Sequence, residues 1–166
     1  MWRYQLSSPH LAEELAKGQE MDKLDLQTAI YTTLMNPKLH TALRILFALF
    51  LIVSGAKHLY TVYWGDPTIM ATGYPEKGAE AFVLAVLATK FLLPLICTTK
   101  LIAGVLMVLP KREPLGVLVA FPYSVGMLAW GVFMVPSHLL IMGGIFALNA
   151  ALVYANWNAY KSVVGG

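Results

Sequence analysis

Four long, uninterrupted apolar runs constrain this chain more than any other feature. They cover residues 45–64, 91–109, 115–135 and 139–157. Each approaches the ~20 residues that carry a helix across a ~30 Å hydrocarbon layer. Lipid offers no partners to backbone amides, so only helices or closed barrels can cross it. Apolar residues here are continuous rather than alternating, which favours helices over strands. Composition agrees: 58% of residues are hydrophobic and 13% charged, about half the charged share of a soluble domain. The expected fold is therefore all-α. It is a polytopic membrane protein, a four-transmembrane-helix bundle with an N-terminal amphipathic surface helix.

Basic residues set the expected orientation. Arg3, Lys17, Lys23, Lys38 and Arg44 precede the first run, Lys111 and Arg112 lie between the second and third, and Lys161 follows the fourth. Four crossings place all eight on one side, the cytoplasmic or matrix side by the positive-inside rule. Both termini are expected there, in a bacterial cytoplasmic or mitochondrial inner membrane. The net charge of +3 then reflects topology, and no nucleic-acid partner is expected. Residues 1–30 hold five acids and lack the apolar core of a cleavable signal.

Residues 1–40 are expected to form a docking segment, 41–160 the bundle and 161–166 a tail. Within the first, Ser8-Pro9 offers a helix start, and a partial leucine stripe continues to Asn36-Pro37. Its mixed charge favours docking on a protein over lying on anionic lipid. The 65–81 loop is rich in Gly and Pro and is expected to form turns or an irregular lid. Residues 82–90 should extend the second span outward. Small residues recur every fourth position, at Gly116, Ala120 and Ser124 and at Gly143, Ala147, Ala151 and Ala155. Such rows suit close packing of spans three and four.

Lys100 stands near the middle of the second run, FLLPLICTTKLIAGVLMVL, while every carboxylate lies outside the runs. An ammonium at the centre of a span costs on the order of 3 kcal/mol on insertion scales. A lysine reaches only about 6 Å, so it cannot leave a ~30 Å core from its middle. Lys100 must meet a ligand, a lipid, a partner subunit or a wet cavity. Arg44 at the start of the first span is expected to meet phosphate. Lys57 is within reach of the outer interface. Asn149 needs an interhelical partner, and Thr98 or Thr99 would serve if spans two and four touch. His58 and His138 share an expected depth and are candidate haem ligands. The lone Cys97 excludes an intramolecular disulfide. No Ser-His-Asp set, acid pair or zinc cluster appears, so no catalytic residue, metal or resident cofactor is expected.

From Arg44 to Lys57 the first span joins an arginine to a Gly-x-Lys ending; Leu92-Leu-Pro-Leu, Leu101-Ile-Ala-Gly-Val-Leu-Met-Val-Leu and His138 follow. Together these resemble the DoxX-like family of small four-helix membrane proteins, over about residues 41–160. Relatives often carry a glutamate in the second helix where this chain has Lys100. The resemblance implies a membrane protein that accompanies redox systems. The leading expectation is an accessory or assembly subunit of a respiratory or other electron-transfer complex, in contact with membrane lipids and other integral membrane subunits. A quinone- or phospholipid-binding protein with Lys100 at the ligand is the alternative. A haem carrier with His58 and His138 as ligands comes third.

Overall fold

The computed structural model describes residues 36–164. The chain divides into two compact units, Met1–Leu39 and His40–Gly166. Of the first, the described residues are those that open helix α1; the expected surface helix over residues 9–35 lies outside the described residues.

All regular structure among the described residues is helical. Helix α1 is Pro37–Trp64 and α2 is Lys77–Ala88, with a short 3-10 helix, Pro67–Ala71, between them. Helix α3 is Leu92–Val108, α4 is Glu113–Phe133, α5 is Leu139–Ala155 and α6 is Trp157–Val164. Three stretches are long and apolar enough to cross a membrane: α1, α4 and Pro136–Ala155. A fourth is reached if α2 and α3, bent by 89° at their junction, count as one.

The boundaries differ from the sequence expectation for local reasons. Asn36 Oδ1 accepts a hydrogen bond from the Lys38 amide at 3.1 Å, and Pro37 takes the first helical position, where a missing amide costs nothing. The pair therefore starts α1 two turns before the expected span. Residues 82–90 do not extend α3 outward. Lys90 adopts a left-handed conformation, φ 62°, and Thr89 Oγ1 accepts from the Leu92 amide. Pro94 lies in the first turn of α3, where a missing amide is also tolerated.

Close backbone approach joins the helices, the kind of contact that serves where apolar side chains gain little from excluding water. Gly104 provides it between α3 and α1: an added Cβ would stand 2.8 Å from the Ala48 carbonyl oxygen. Gly116 provides it between α4 and α3, where a Cβ would stand 2.6 Å from the Met107 nitrogen and 2.8 Å from the Ala103 oxygen. Phe47, Ala48, Leu51, Ala103, Met107 and Val117 pack into one buried cluster around these contacts. The row of Gly116, Ala120 and Ser124 is buried, but at Gly116 it meets α3 rather than α5. Helices α4 and α5 instead approach where Gly131 meets Met142 and Leu139 and where the Phe121 and Phe146 rings lie 6.1 Å apart. Two members of the α5 row stand away from this contact: Ala147 is exposed, and no atom lies within 4 Å of a Cβ built at Gly143.

The outer faces are as apolar as the core. Leu140 is 90% exposed and Phe133 78%, which water would penalise and hydrocarbon does not. Aromatic rings gather at the Trp64 end, where Tyr60 and Trp64 stack at 5.9 Å.

Gly116→Ala should destabilise the detergent-solubilised protein by about 1–3 kcal/mol, since backbone atoms must move to admit the methyl. Gly126→Ala, with open space around its Cβ position, should be neutral or stabilising by up to ~1 kcal/mol. Thermal or denaturant unfolding of both variants checks the contrast.

Candidate functional site

A cavity of about 490 Å3 opens between α1, α3 and α4 toward the Trp64 end. That volume lies within the usual range for small-molecule sites. Lys100 and Cys97 reach it from α3, His58 and Lys57 from α1, and Tyr123 and Trp130 from α4. Ile69 and Met70 of the short 3-10 helix and Thr72 just after it line it as well. No carboxylate lines it.

The 65–81 loop is better ordered than its composition suggests. Asp66 caps the 3-10 helix, accepting from the Thr68 amide at 2.9 Å and the Thr68 hydroxyl at 2.6 Å. Farther on, Glu76 Oε1 accepts from the Ser137 amide at 3.3 Å, joining the loop to the α4–α5 connection. Tyr74 packs edge-on to Trp130 at 5.7 Å, and Phe82 lies 5.1 Å from the same ring. These aromatic contacts hold one wall of the cavity.

Lys100 is 3% exposed. Among the described residues no carboxylate pairs with it. Its ammonium lies 5.0 Å from the Tyr123 ring centroid and 6.0 Å from that of Phe50. Each is within cation–π range, worth roughly 0.5–2 kcal/mol depending on desolvation. Ring faces offset part of the cost of burying the charge but accept no hydrogen bond in line. The ammonium therefore keeps donor capacity toward the cavity.

Arg44 does not wait for a phosphate: its guanidinium pairs with Glu113 at the start of α4. His40 Nδ1 lies 3.8 Å from the same carboxylate. This cluster ties α1 to α4 at the Lys111 end. Lys57 is exposed and contributes to the cavity lining. Thr99 donates to the Leu95 carbonyl of its own helix at 2.9 Å, so it is not engaged with Asn149. Asn149 is 0% exposed, and neither amide atom has a partner in the structure. From the contact of Gly131 with Met142, two turns along each antiparallel helix bring Ser124 opposite Asn149. Ser124 bonds its own helix, at the Phe121 carbonyl.

The two candidate haem ligands occupy different settings. His58 lines the cavity. His138 lies 3.1 Å from the Ser137 hydroxyl and edge-on to Tyr74. Among the described residues, no three His, Cys, Asp or Glu side chains gather as a metal site. Sequence reasoning did not anticipate Tyr123 or Trp130 as cavity residues. Their spacing on α4, with Met127 between, was the available signal.

Compared with known proteins, the chain matches no family model, no curated protein and no solved structure.

Removing the charge at the floor should stabilise the ligand-free protein. Lys100→Met is expected to raise stability by about 1–3 kcal/mol, because a buried charge without a counter-ion gives way to an apolar side chain of similar length. Unfolding in ligand-free detergent tests this; a destabilised variant would mean that the ammonium is satisfied within the chain. The loop carries a pH dependence of its own. The Thr68 hydroxyl and then its amide hold the Asp66 carboxyl below its usual range. Such a depressed group adds stability above its unfolded value and loses it as pH falls through the folded value. The cap should loosen in acid below about pH 4. Amide exchange at residues 68–71, compared with Asp66→Asn at each pH, measures it.

Proposed function

We propose that this chain is a four-crossing membrane protein whose cavity binds a lipophilic molecule through an oxygen acceptor at its head. In this reading α2 and α3 together make one crossing, and the Trp64 end faces away from the cytoplasm or matrix. The observation that carries it is Lys100, a buried ammonium without a carboxylate, at the floor of a cavity that Lys57 and His58 also line and no acid does. An acceptor oxygen there supplies the bond that the rings of Tyr123 and Phe50 do not.

The ligand's body follows from the walls. A second, almost wholly apolar hollow of about 550 Å3 lies along α3 and α4 and shares Phe82, Ile96, Tyr123 and Trp130 with the cavity. It is lined by Phe133 and Leu95, both strongly exposed, so it faces the surrounding hydrocarbon. A ligand dissolved in the bilayer would meet this hollow, next to the cavity, without crossing water. Quinones and fatty acids share the required chemistry of an apolar body with an electron-rich oxygen head.

Trp130 supplies an intrinsic reporter. Titration of the detergent-solubilised protein with a short-chain quinone, and separately with a fatty acid, should change its fluorescence saturably. Lys100→Met should weaken binding about tenfold or more, the worth of a charge-assisted hydrogen bond. Trp130→Phe should abolish the signal while leaving binding measurable by dialysis. Preference between the two titrants identifies the head group. Equal affinity in wild type and Lys100→Met would overturn the reading.

A second reading keeps the chain as an accessory subunit of an electron-transfer complex. Phe50, one of the two rings beside Lys100, is 40% exposed on the outer face of α1. A carboxylate on a partner helix would approach the ammonium from that side. Native mass spectrometry from the protein's own membrane distinguishes a bound small molecule from a bound subunit.

A further inference from the structure

We propose that the Lys111 end of the bundle carries a separate binding site for one anionic phospholipid. A groove of about 930 Å3 runs there between α4, the end of α5 and α6. Lys111, Arg112 and Lys161 contribute three cations to its lining, and no carboxylate lines it. The acid nearest in sequence, Glu113, is already engaged by Arg44. The three cations are exposed and free of ion pairs among the described residues.

Below the cations the groove becomes apolar. Leu115 and Leu118 of α4 are each nearly half exposed and form one wall, with Val153 of α5 beside them. Trp157 completes the rim, half exposed, in the position that indoles favour at a membrane–water boundary. The order of chemistry along the groove is cationic, aromatic and aliphatic. That order matches a phosphate head, a glycerol region and an acyl chain. A soluble anion would use only the first part, and an apolar helix would leave the cations without partners.

The groove is held in shape by contacts within the chain. Tyr160 donates its hydroxyl to the Pro114 carbonyl at 2.7 Å, which fixes α6 against the first turn of α4. Asn156 Nδ2 donates to the Leu152 carbonyl at 2.9 Å at the break between α5 and α6. Lys111 is held in a left-handed conformation, φ 65°, within the tight turn that sets it beside Arg112. Basic pockets on the positively charged side of a bundle are a recurrent form of lipid recognition.

The test compares phosphatidylglycerol with phosphatidylcholine of identical chains, added to delipidated full-length protein and followed by native mass spectrometry. One phosphatidylglycerol should be retained at least tenfold better than phosphatidylcholine. Replacing Lys111, Arg112 and Lys161 by Gln, singly, should weaken retention about fivefold each. Leu118→Trp fills the groove without altering charge at an exposed position, and it should also displace the lipid. Equal retention of the two lipids would overturn the proposal. So would unchanged retention by Leu118→Trp, which would mean diffuse attraction to a basic surface. Full displacement by millimolar inorganic phosphate would assign the cations to a soluble anion instead. Because this groove lies at the other end of α4 from the Lys100 cavity, no result here depends on what that cavity binds.

Discussion

Close backbone contact between helices is the constraint from which the rest of this structure follows. In hydrocarbon a leucine gains almost nothing by facing another leucine instead of a lipid tail. Stability then has to come from van der Waals contact, which falls off within an ångström of separation. The chain meets this with missing side chains. Gly104 lets α3 rest on the Ala48 carbonyl, and Gly116 lets α4 rest on the Met107 and Ala103 backbone. The Arg44–Glu113 pair adds a charge-assisted tie near the same level. Toward the Trp64 end, α4 turns bulky residues to the interior: Tyr123, Met127 and Trp130 line the cavity there. Small residues keep close contact at that end too, Gly55 against the Cys97 carbonyl and Gly131 against Met142, and the cavity lies beside these contacts.

Arg44 and Lys100, one half-buried and one buried, show opposite solutions to one problem. Arg44 finds Glu113, because an interfacial level admits carboxylates from a helix start. Lys100 stands deeper, where no acid of the described chain reaches, and rests on aromatic faces. Asn149 repeats the pattern on α5, buried with both amide atoms unpartnered. Register places it opposite Ser124, near the level of Tyr123 and therefore of Lys100. Polar groups so arranged mark a layer in which the interior is not chemically complete.

Much of the architecture was legible in the sequence, and the reasons are specific. Continuous apolar length is a strong signal because lipid penalises every interruption, and α1, α4 and α5 were each recognisable from it. Their partners were not. The small-residue row from Gly116 to Ser124 announced close packing, but periodicity cannot say against which neighbour; the neighbour at Gly116 is α3. The 89° bend before α3 was masked by an apolar run that continues through it. Pro94 was the one local sign, since proline suits a helix's first turn better than its interior. Of the candidate site, the unpaired Lys100 could be read directly, as a charge too deep to reach water. Its aromatic neighbours could not, because Tyr123 comes from another helix and Phe50 from the outward side of a third. The place of Arg44 at the start of the first span points to phosphate, while Glu113 is distant in sequence and only the fold makes them neighbours.

The energetics of Lys100 argue for something at the cavity floor. Insertion of a central lysine costs on the order of 3 kcal/mol. Cation–π contact with one well-placed ring and one marginal ring returns roughly 1–2 kcal/mol. A shortfall of about 1–2 kcal/mol then remains. An acceptor oxygen that relieves it gains about five- to thirtyfold in affinity over the same molecule without that oxygen. Such a gain is too small to hold a ligand alone. The remainder must come from burial of an apolar body against Phe82, Met127 and Trp130, at about 25 cal/mol per Å2 removed from contact with water. A ligand arriving from the bilayer has already left water and gains far less from that burial. On the proposed reading the polar head is then the part that the protein treats differently from lipid, so Lys100 would supply selectivity while the walls set shape.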